Sequence, residues 1–553
     1  MTDEQLAAEF PLGPDSLPQP GVPRGKVEKF THAASSIFPG TVRDCYLYVP
    51  AGHDPANPAC VMVCQDGHDH LRPGRRWQSA TILDNLIHQG AIPACIGIFI
   101  DPGVIPAAIP GGKPRPNRSF EYDSLSDRYV RFLLEEILPE VGRRYKLSSE
   151  GRDRLIMGGS SGAACAFNAA WHRPDAFQRV LSIVGSYTAL RGGNQQSARV
   201  RLAEPKPIRV FLEGGAQDLV IFAGHWWEAN LDMLAALEYA GYEVDHSWAE
   251  HAGHNDFHGT SIFPDALRWI WKDYPRAITA GVNSRQPVAR VLAPGEGWQP
   301  VAENESSVGC LVAAADGAII FARDGGGLFR AGAGGRAEPI VTGVDGVTDL
   351  ALAPDGTLLA CQPRLRRITA FDREGAMTVY AADLEAQSVA IAANGNRYVA
   401  DPSAGGVWLI SPDGARSLCA REVPAPRGVR LTPDQGQLIV TSARGRMGYL
   451  FMVQTDGALA PGAPCFRLNL PDEASDSGAE QMAVHPKGWS CLATTLGIQL
   501  ACPDGTISGL ISAPGPGKVT GVALGGHEAE DLYVSCGGKL YRRRILSPDE
   551  IWS

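Results

Sequence analysis

One pattern recurs six times beyond residue 300: an alternating apolar strand, a polar turn, then a second apolar strand. The copies are Cys310–Phe321, Asp349–Ala360, Ser388–Val399, Gly428–Val440, Gln481–Leu492 and Gly521–Val534. The first four begin 39, 39 and about 40 residues apart. Asp316-Gly317, Asp355-Gly356 and Asn394-Gly395 occupy the turns. Both residues of such pairs tolerate positive φ, which makes them a strong hairpin signal. Each copy is followed by a further strand pair, as in Gly406–Gly414. Four strands per unit, six times over, predict an all-β six-bladed propeller over 295–553, against the alternative of a β-sandwich with irregular hairpins.

The chain has 553 residues, and length alone would ask for three or four domains. The repeat leaves room for one more large domain, because the texture before it is different. From Lys26 to Tyr274, β-rich runs (Asp44–Val49, Cys60–Cys64, Ile96–Ile100) alternate with amphipathic stretches such as Asp127–Leu138. That alternation predicts an α/β domain over 26–275, a mostly parallel sheet sandwiched by helices. Residues 1–25 are then an N-terminal extension and 276–294 a linker. Of the 63 glycines, most fall in the second half, where hairpins need them.

Net charge is −10, so no basic face for nucleic acid is expected. No stretch of about 18 uncharged apolar residues is present, so no membrane span is expected. Met1–Phe10 is acidic and lacks the basic and apolar regions of a secretory signal. The twelve cysteines contain no CxxC pair and read as reduced, buried side chains. These features predict a cytoplasmic protein, or a secreted one if a leader was trimmed away.

Gly158-Gly159-Ser160-Ser161-Gly162 lies between an apolar strand and an alanine-rich helix. In that context G-x-S-x-G is a nucleophile elbow: glycines allow a tight turn, Ser160 is lifted to the helix start, and the Ser161 amide faces the developing oxyanion. The acid and base should follow in the order Ser, Asp/Glu, His. Past the strand Ile208–Leu212, Asp218 is the preferred acid and Glu213 the second choice. Past Val244–Glu250, His254 is the preferred base, ahead of His258 and His251. His254 and His258 are four apart, but Ala252-Gly253 and Gly259 disfavour a common helix, so no metal site is expected there. A second oxyanion amide is expected after Val61–Gln65, from His68 or its neighbour.

These residues give the first domain a resemblance to the esterase D and enterochelin esterase group, which includes carbohydrate esterases of family 1. The matching pieces are Gln65-Asp66-Gly67, Arg118–Tyr122, Gly158–Gly162, Ser182–Tyr187, Leu212–Asp218 and Gly253-His254-Asn255. The resemblance implies an α/β-hydrolase fold, and its acid lies six residues past the strand-end Leu, which favours Asp218. It places Arg118 and Glu121 in a substrate-side loop; an ion pair bracing that loop is the alternative. Trp226 and Trp227 either wall an aromatic acyl pocket or belong to the core of the helix from His225 to Tyr239.

The second domain resembles senescence-marker/gluconolactonase propellers in Tyr398–Pro402, Val429–Asp434, Ser477–Met482 and Gly497–Leu500. The resemblance implies a divalent cation in the central channel, held by a Glu, an Asn and an Asp. The matching places here read Val308, Arg427 and Glu480, and the Asn-Asp pair of a fourth blade reads Gln387-Ser388. A hard divalent ion needs several oxygen ligands at close range. The expectation is therefore that the metal ligands are lost, that Arg427 and Glu480 pair with each other, and that the propeller binds or assembles rather than hydrolyses.

Together these readings predict a serine carboxylic-ester hydrolase working through an acyl-enzyme without a cofactor. The expected substrate is a small-molecule or oligosaccharide ester, a feruloyl or acetyl ester of a sugar. Alternatives are a siderophore-type trilactone hydrolase and a sugar lactonase with its site in the propeller. Self-association into a homo-oligomer is left open.

Overall fold

Strands buried on both faces need continuous apolar sequence, and the first half of the chain supplies several of them. The computed structural model describes residues 1–72, 74–301, 307–332, 336–549 and 551. It divides into one unit of residues 1–201 with 205–283 and a second of 202–204 with 284–553.

The first unit is built on eight strands: β1 (Lys26–His32), β2 (Arg43–Val49), β3 (Cys60–Gln65), β4 (Cys95–Ile100), β5 (Arg154–Gly159), β6 (Arg179–Ile183), β7 (Arg209–Gln217) and β8 (Glu243–Gly253). Their spatial order is β1-β2-β4-β3-β5-β6-β7-β8. β1 and β2 pair antiparallel, as do β2 and β4, and every pairing from β4 to β8 is parallel. β3, β4 and β6 are buried along their whole lengths. One face packs Met62, Phe99, Met157 and Leu181 against Phe263 and Trp271. This is the α/β-hydrolase fold.

Three helices matter for the site: α1 (Arg118–Tyr122), α2 (Ser161–His172) and α3 (Trp226–Ala240); α4 (Phe257–Ile270) covers the sheet behind it. The amphipathic stretch 127–138 is helical, but a π-turn interrupts it at Leu133–Ile137. Pro139 explains this: it offers no N–H to the Glu135 carbonyl and its ring crowds that group, so the turn widens. The N-terminal stretch is ordered against the unit. A short helix at Asp3–Glu9, closed by a Thr2/Gln5 capping box, buries Leu6 and Phe10 with Ala252 of the edge strand β8. Covering an edge strand protects it from pairing with other chains.

The second unit is the six-bladed propeller: six four-stranded antiparallel sheets. Their inner strands are Val308–Ala313, Asp349–Leu352, Ser388–Ile391, Pro426–Leu431, Met482–Val484 and Val519–Gly525. The last blade takes its outer strand, Gln299–Pro300, from the start of the unit and pairs it with Lys539–Arg544 from the end. The ring is therefore closed by both ends of its own sequence. At the Asp-Gly and Asn-Gly turns of the first three copies only the glycine takes positive φ, at Gly317, Gly356 and Gly395. The Asp or Asn before it works through its side chain, accepting the N–H two residues on: Asp355 from Thr357 at 2.8 Å and Asn394 from Asn396 at 3.0 Å.

The inner strands meet in a polar network. Asp349, on the second blade, accepts two bonds from Arg430 of the fourth at 2.8 Å each, one from Gln481 of the fifth at 2.8 Å, and one from Ser388 of the third. Gln481 also donates to the Leu311 carbonyl of the first blade at 2.8 Å and accepts from Val522 of the sixth at 3.1 Å. All six blades are thereby tied at the axis through the buried Asp349 carboxylate and the buried Gln481 amide, with the half-buried Arg430 guanidinium pairing the carboxylate. Removing one partner of such a pair strands the other charge. Asp349→Ala is expected to destabilise the propeller by about 3–5 kcal/mol in urea unfolding, and Asp349→Leu/Arg430→Met together to recover part of it. Equal losses in the two proteins would show that a stranded Arg430 charge is not the cause of the loss. Among the described residues no helix is long and apolar enough to cross a membrane.

Candidate active site

The turn between β5 and α2 places Ser160 in a backbone conformation that a residue with a Cβ rarely adopts, φ 58° and ψ −123°. The chain is held there by the Ser160 N–H to the Ile183 carbonyl at 2.9 Å and the Ser186 N–H to the Ser160 carbonyl at 3.1 Å. Gly158 is required by contact, since a Cβ there would lie 2.5 Å from the Gly162 carbonyl carbon, and one on Gly162 would sit tightly, 3.0 Å from Gln65 Cβ. Strain of this kind costs on the order of 1–3 kcal/mol and persists only where neighbours over-determine it.

Ser160 Oγ lies 2.8 Å from His254 Nε2, and His254 Nδ1 lies 2.7 Å from Asp218 Oδ1. The carboxylate accepts from Nδ1–H, so Nε2 carries the lone pair and accepts the Ser160 O–H. His254 follows the end of β8 and Asp218 follows the end of β7, neighbouring parallel strands whose ends bring the two loops together. Asp218 is buried; its Oδ1 also accepts the Leu219 N–H at 2.6 Å, and its Oδ2 has no partner among the described residues. Compensation of this buried charge therefore falls to His254.

The other acid and histidine weighed from sequence form a separate pair. Glu213 accepts from His258 Nδ1 at 2.7 Å, and His258 Nε2 lies 3.1 Å from Ser247 Oγ. Burial raises the Glu213 pKa, an effect His258 partly offsets. This Glu–His–Ser chain has no elbow, since Ser247 sits within strand β8. His258 is helical after all, in the first turn of α4, whereas His254 precedes that helix. His251 is exposed and lies 3.0 Å from Glu9.

The structure redirects four of the residues singled out from sequence. The His68 N–H donates to Asp101 at 2.8 Å and is committed there, which corrects its expected place in the oxyanion hole. At the end of β3 the Asp66 N–H makes a long 3.4 Å contact with Tyr122 Oη, and a Cβ built on Gly162 would lie 3.2 Å from Asp66 Oδ2. The Ser161 N–H, as the first of α2, has no intrahelical acceptor. Arg118 grips both oxygens of Asp66, at 2.8 and 2.9 Å, and reaches the Gly159 carbonyl at 3.3 Å. It braces the two turns that flank Ser160, and its charged form is favoured by Asp66 against the cost of burial. Glu121 is not on the substrate side: it is fully buried in a two-pronged pair with Arg43, at 2.6 and 2.9 Å. Trp226 is 1% exposed and its ring stands edge-on to His254 at 5.9 Å, so it is core rather than pocket wall. Trp227 packs edge-on against Trp248.

Two features were missed from sequence. One is Ser186, whose Oγ lies 3.1 Å from Ser160 Oγ. The quoted run Ser182–Tyr187 contained it without marking it. The other is the hairpin directly after Asp218, where Leu219, Val220, Ile221 and Phe222 are all exposed, Phe222 to 94%. Four adjacent apolar residues after a predicted acid were a legible signal. A separate cavity of about 600 Å³, lined by Phe38, Phe120, Arg115 and Arg128 among others, includes none of Ser160, His254 and Asp218.

In the propeller the residues at the family's cation-ligand positions do not fit an ion. Val308 offers only a buried apolar side chain, and Arg427 pairs with Glu480, which Lys518 also contacts. Those cations hold the Glu480 carboxyl below its usual range despite burial. Among the described residues no three His, Cys, Asp or Glu side chains converge as a metal site would require.

A putative-esterase family profile matches residues 36–256, and one for the SMP-30/gluconolactonase/LRE-like region matches residues 282–537. A gluconolactonase of Zymomonas mobilis is 27% identical over 143 residues, 25% of this chain and 40% of that protein, so the chain covers less than two thirds of this relative. Among solved structures, a putative gluconolactonase aligns with a TM-score of 0.42 at 19% identity, over 47% of this chain and 96% of that one. The enterobactin esterase of Shigella flexneri aligns with a TM-score of 0.37 at 19% identity, over 47% of this chain and 63% of that one.

Proposed function

We propose that this chain, a carboxylic ester hydrolase with an esterase-family first domain and a gluconolactonase-like second domain, acts through Ser160 as nucleophile. The observation that carries the reading is the unbroken relay at the strained elbow, Ser160 Oγ to His254 at 2.8 Å and His254 to Asp218 at 2.7 Å. Ser160 attacks the ester carbonyl while its proton passes to His254 Nε2. His254 then delivers that proton to the leaving alcohol, and Asp218 stabilises the imidazolium. The Ser161 and Asp66 amides hold the oxyanion, with Arg118 fixing the Asp66 turn. Water, deprotonated by the same histidine, releases the acid from the acyl-enzyme.

The acyl group is best read as bulky and apolar, a feruloyl rather than an acetyl group. The support is the exposed hairpin Leu219–Phe222, continuous with the triad acid and anchored by the Ala189 N–H to the Ala223 carbonyl at 2.8 Å. Exposed apolar groups in a row mark a surface made to be covered. The gluconolactonase-like second domain supports a sugar as the alcohol. Covering one Phe side chain is worth about 1.5–3 kcal/mol. Phe222→Ser is therefore expected to raise KM for a feruloyl sugar roughly tenfold or more and to leave an acetyl sugar unchanged. Equal KM changes for both esters would remove the hairpin from substrate recognition.

The test of the function itself is a panel of aryl, acetyl, feruloyl and siderophore esters, assayed with wild type and Ser160→Ala. Chelator-sensitive turnover of an aldonolactone that survives in Ser160→Ala would place the chemistry in the propeller instead.

A further inference from the structure

The Ser186 hydroxyl touches the nucleophile without belonging to the triad. Its Oγ lies 3.1 Å from Ser160 Oγ and 3.0 Å from Trp226 Nε1. An indole nitrogen can only donate, so Ser186 Oγ accepts from Trp226 and its own proton must go elsewhere. Among the described residues Ser160 Oγ is the acceptor within reach. The proton of Ser160 is itself directed to His254. One donor-only group at the far end thus sets the sense of the whole chain: Trp226 N–H to Ser186, Ser186 O–H to Ser160, Ser160 O–H to His254.

The arrangement is rigid. Ser186 and Trp226 are each 1% exposed. The Ser186 N–H grips the Ser160 carbonyl at 3.1 Å, and Asn230 Nδ2 ties the Gly185 carbonyl at 2.8 Å to the Trp226 carbonyl at 2.9 Å. The turn bearing Ser186 is thereby fixed to both the elbow and α3.

We propose that Ser186 is a further catalytic residue of this site, a hydrogen-bond donor to Ser160 Oγ, and that Trp226 is its positioning residue. The proposal rests on Ser160 being the nucleophile. During attack the Ser160 proton moves to His254 Nε2, Oγ bonds to the carbonyl carbon, and the carbonyl π electrons move to the oxygen. Ser186 keeps its proton throughout. Its donation stabilises the negative charge that builds on Oγ before the new bond is complete. In deacylation the same donation assists Oγ as it leaves the acyl carbon and recovers its proton from His254.

A hydrogen bond to a charged group is typically worth a factor of about ten to a hundred in rate. Ser186→Ala is expected to lower kcat, and the rate at which an aryl phosphonate labels Ser160, by about that factor, with KM little changed. Ser186→Thr keeps the hydroxyl and should restore most of the rate. Trp226→Phe leaves the hydroxyl but unpins it, so its loss should be smaller. The double variant Ser186→Ala/Trp226→Phe should be no slower than Ser186→Ala, because the indole acts through the hydroxyl. Labelling by Ser186→Ala within about twofold of wild type would overturn the proposal, as would losses that multiply in the double variant. If Ser186→Ala does not fold, Trp226→Phe decides: an unchanged labelling rate there overturns the proposal. Ser160→Ala is assayed alongside, and ester turnover surviving in it would instead sink the nucleophile assignment.

Discussion

Ser160→Ala is expected to lower kcat for a carboxylic ester by about 10⁴-fold or more and to abolish phosphonate labelling, with the fold retained. The size follows from the relay: without Oγ, His254 has nothing to deprotonate except water, and only the oxyanion donors and substrate binding are left. Ser160→Gly should be equally inactive but more stable, by roughly 1 kcal/mol or more, because φ 58° and ψ −123° suit glycine. Activity and stability would then move in opposite directions at one residue, a signature of backbone strain retained for function. A Ser160→Gly protein less stable than wild type would show that the elbow is relaxed.

Asp218→Ala should lower kcat by about 10⁴-fold, since it removes both the charge and the orientation of His254. Asp218→Asn should lose less than the roughly 10⁴-fold that this exchange costs where it imposes the wrong tautomer, for a reason specific to this site. Both the Leu219 N–H and His254 Nδ1 converge on the same oxygen, Oδ1, while Oδ2 lacks a partner. An asparagine with its carbonyl at the Oδ1 position keeps the catalytic tautomer of His254 and forfeits only the charge. Glu213→Gln, on the buried His258 pair, should leave kcat within about threefold and instead destabilise the domain by about 1–3 kcal/mol. A Glu213→Gln enzyme as slow as Asp218→Ala would reassign the acid.

Much of the fold was legible because it is written in local periodicity. The continuous apolar runs at Cys60–Gln65 and Cys95–Ile100 became strands buried on both faces, and the turn glycines at 317, 356 and 395 became hairpins. Ser160, Asp218 and His254 were legible because each follows a strand in a fixed chain order, and strand ends converge in a parallel sheet. Amides were harder to read. Whether the His68 N–H is free depends on Asp101, some thirty residues away, whose carboxylate claims it. The same holds for Glu121, which the sequence set beside Arg118 but which is neutralised by Arg43, 78 positions earlier.

By itself, then, the sequence pointed to an α/β unit, a sixfold propeller and the three residues, Ser160, Asp218 and His254, that meet at the elbow. Those properties depend on patterns within a few residues and on the order of strands. Tertiary structure decided the partner of each proton: which acid faces which histidine, which amide is already claimed, and that the Trp226 indole N–H faces Ser186. A hydrogen bond forms within a few tenths of an ångström between groups distant in the chain, and no local pattern encodes that distance.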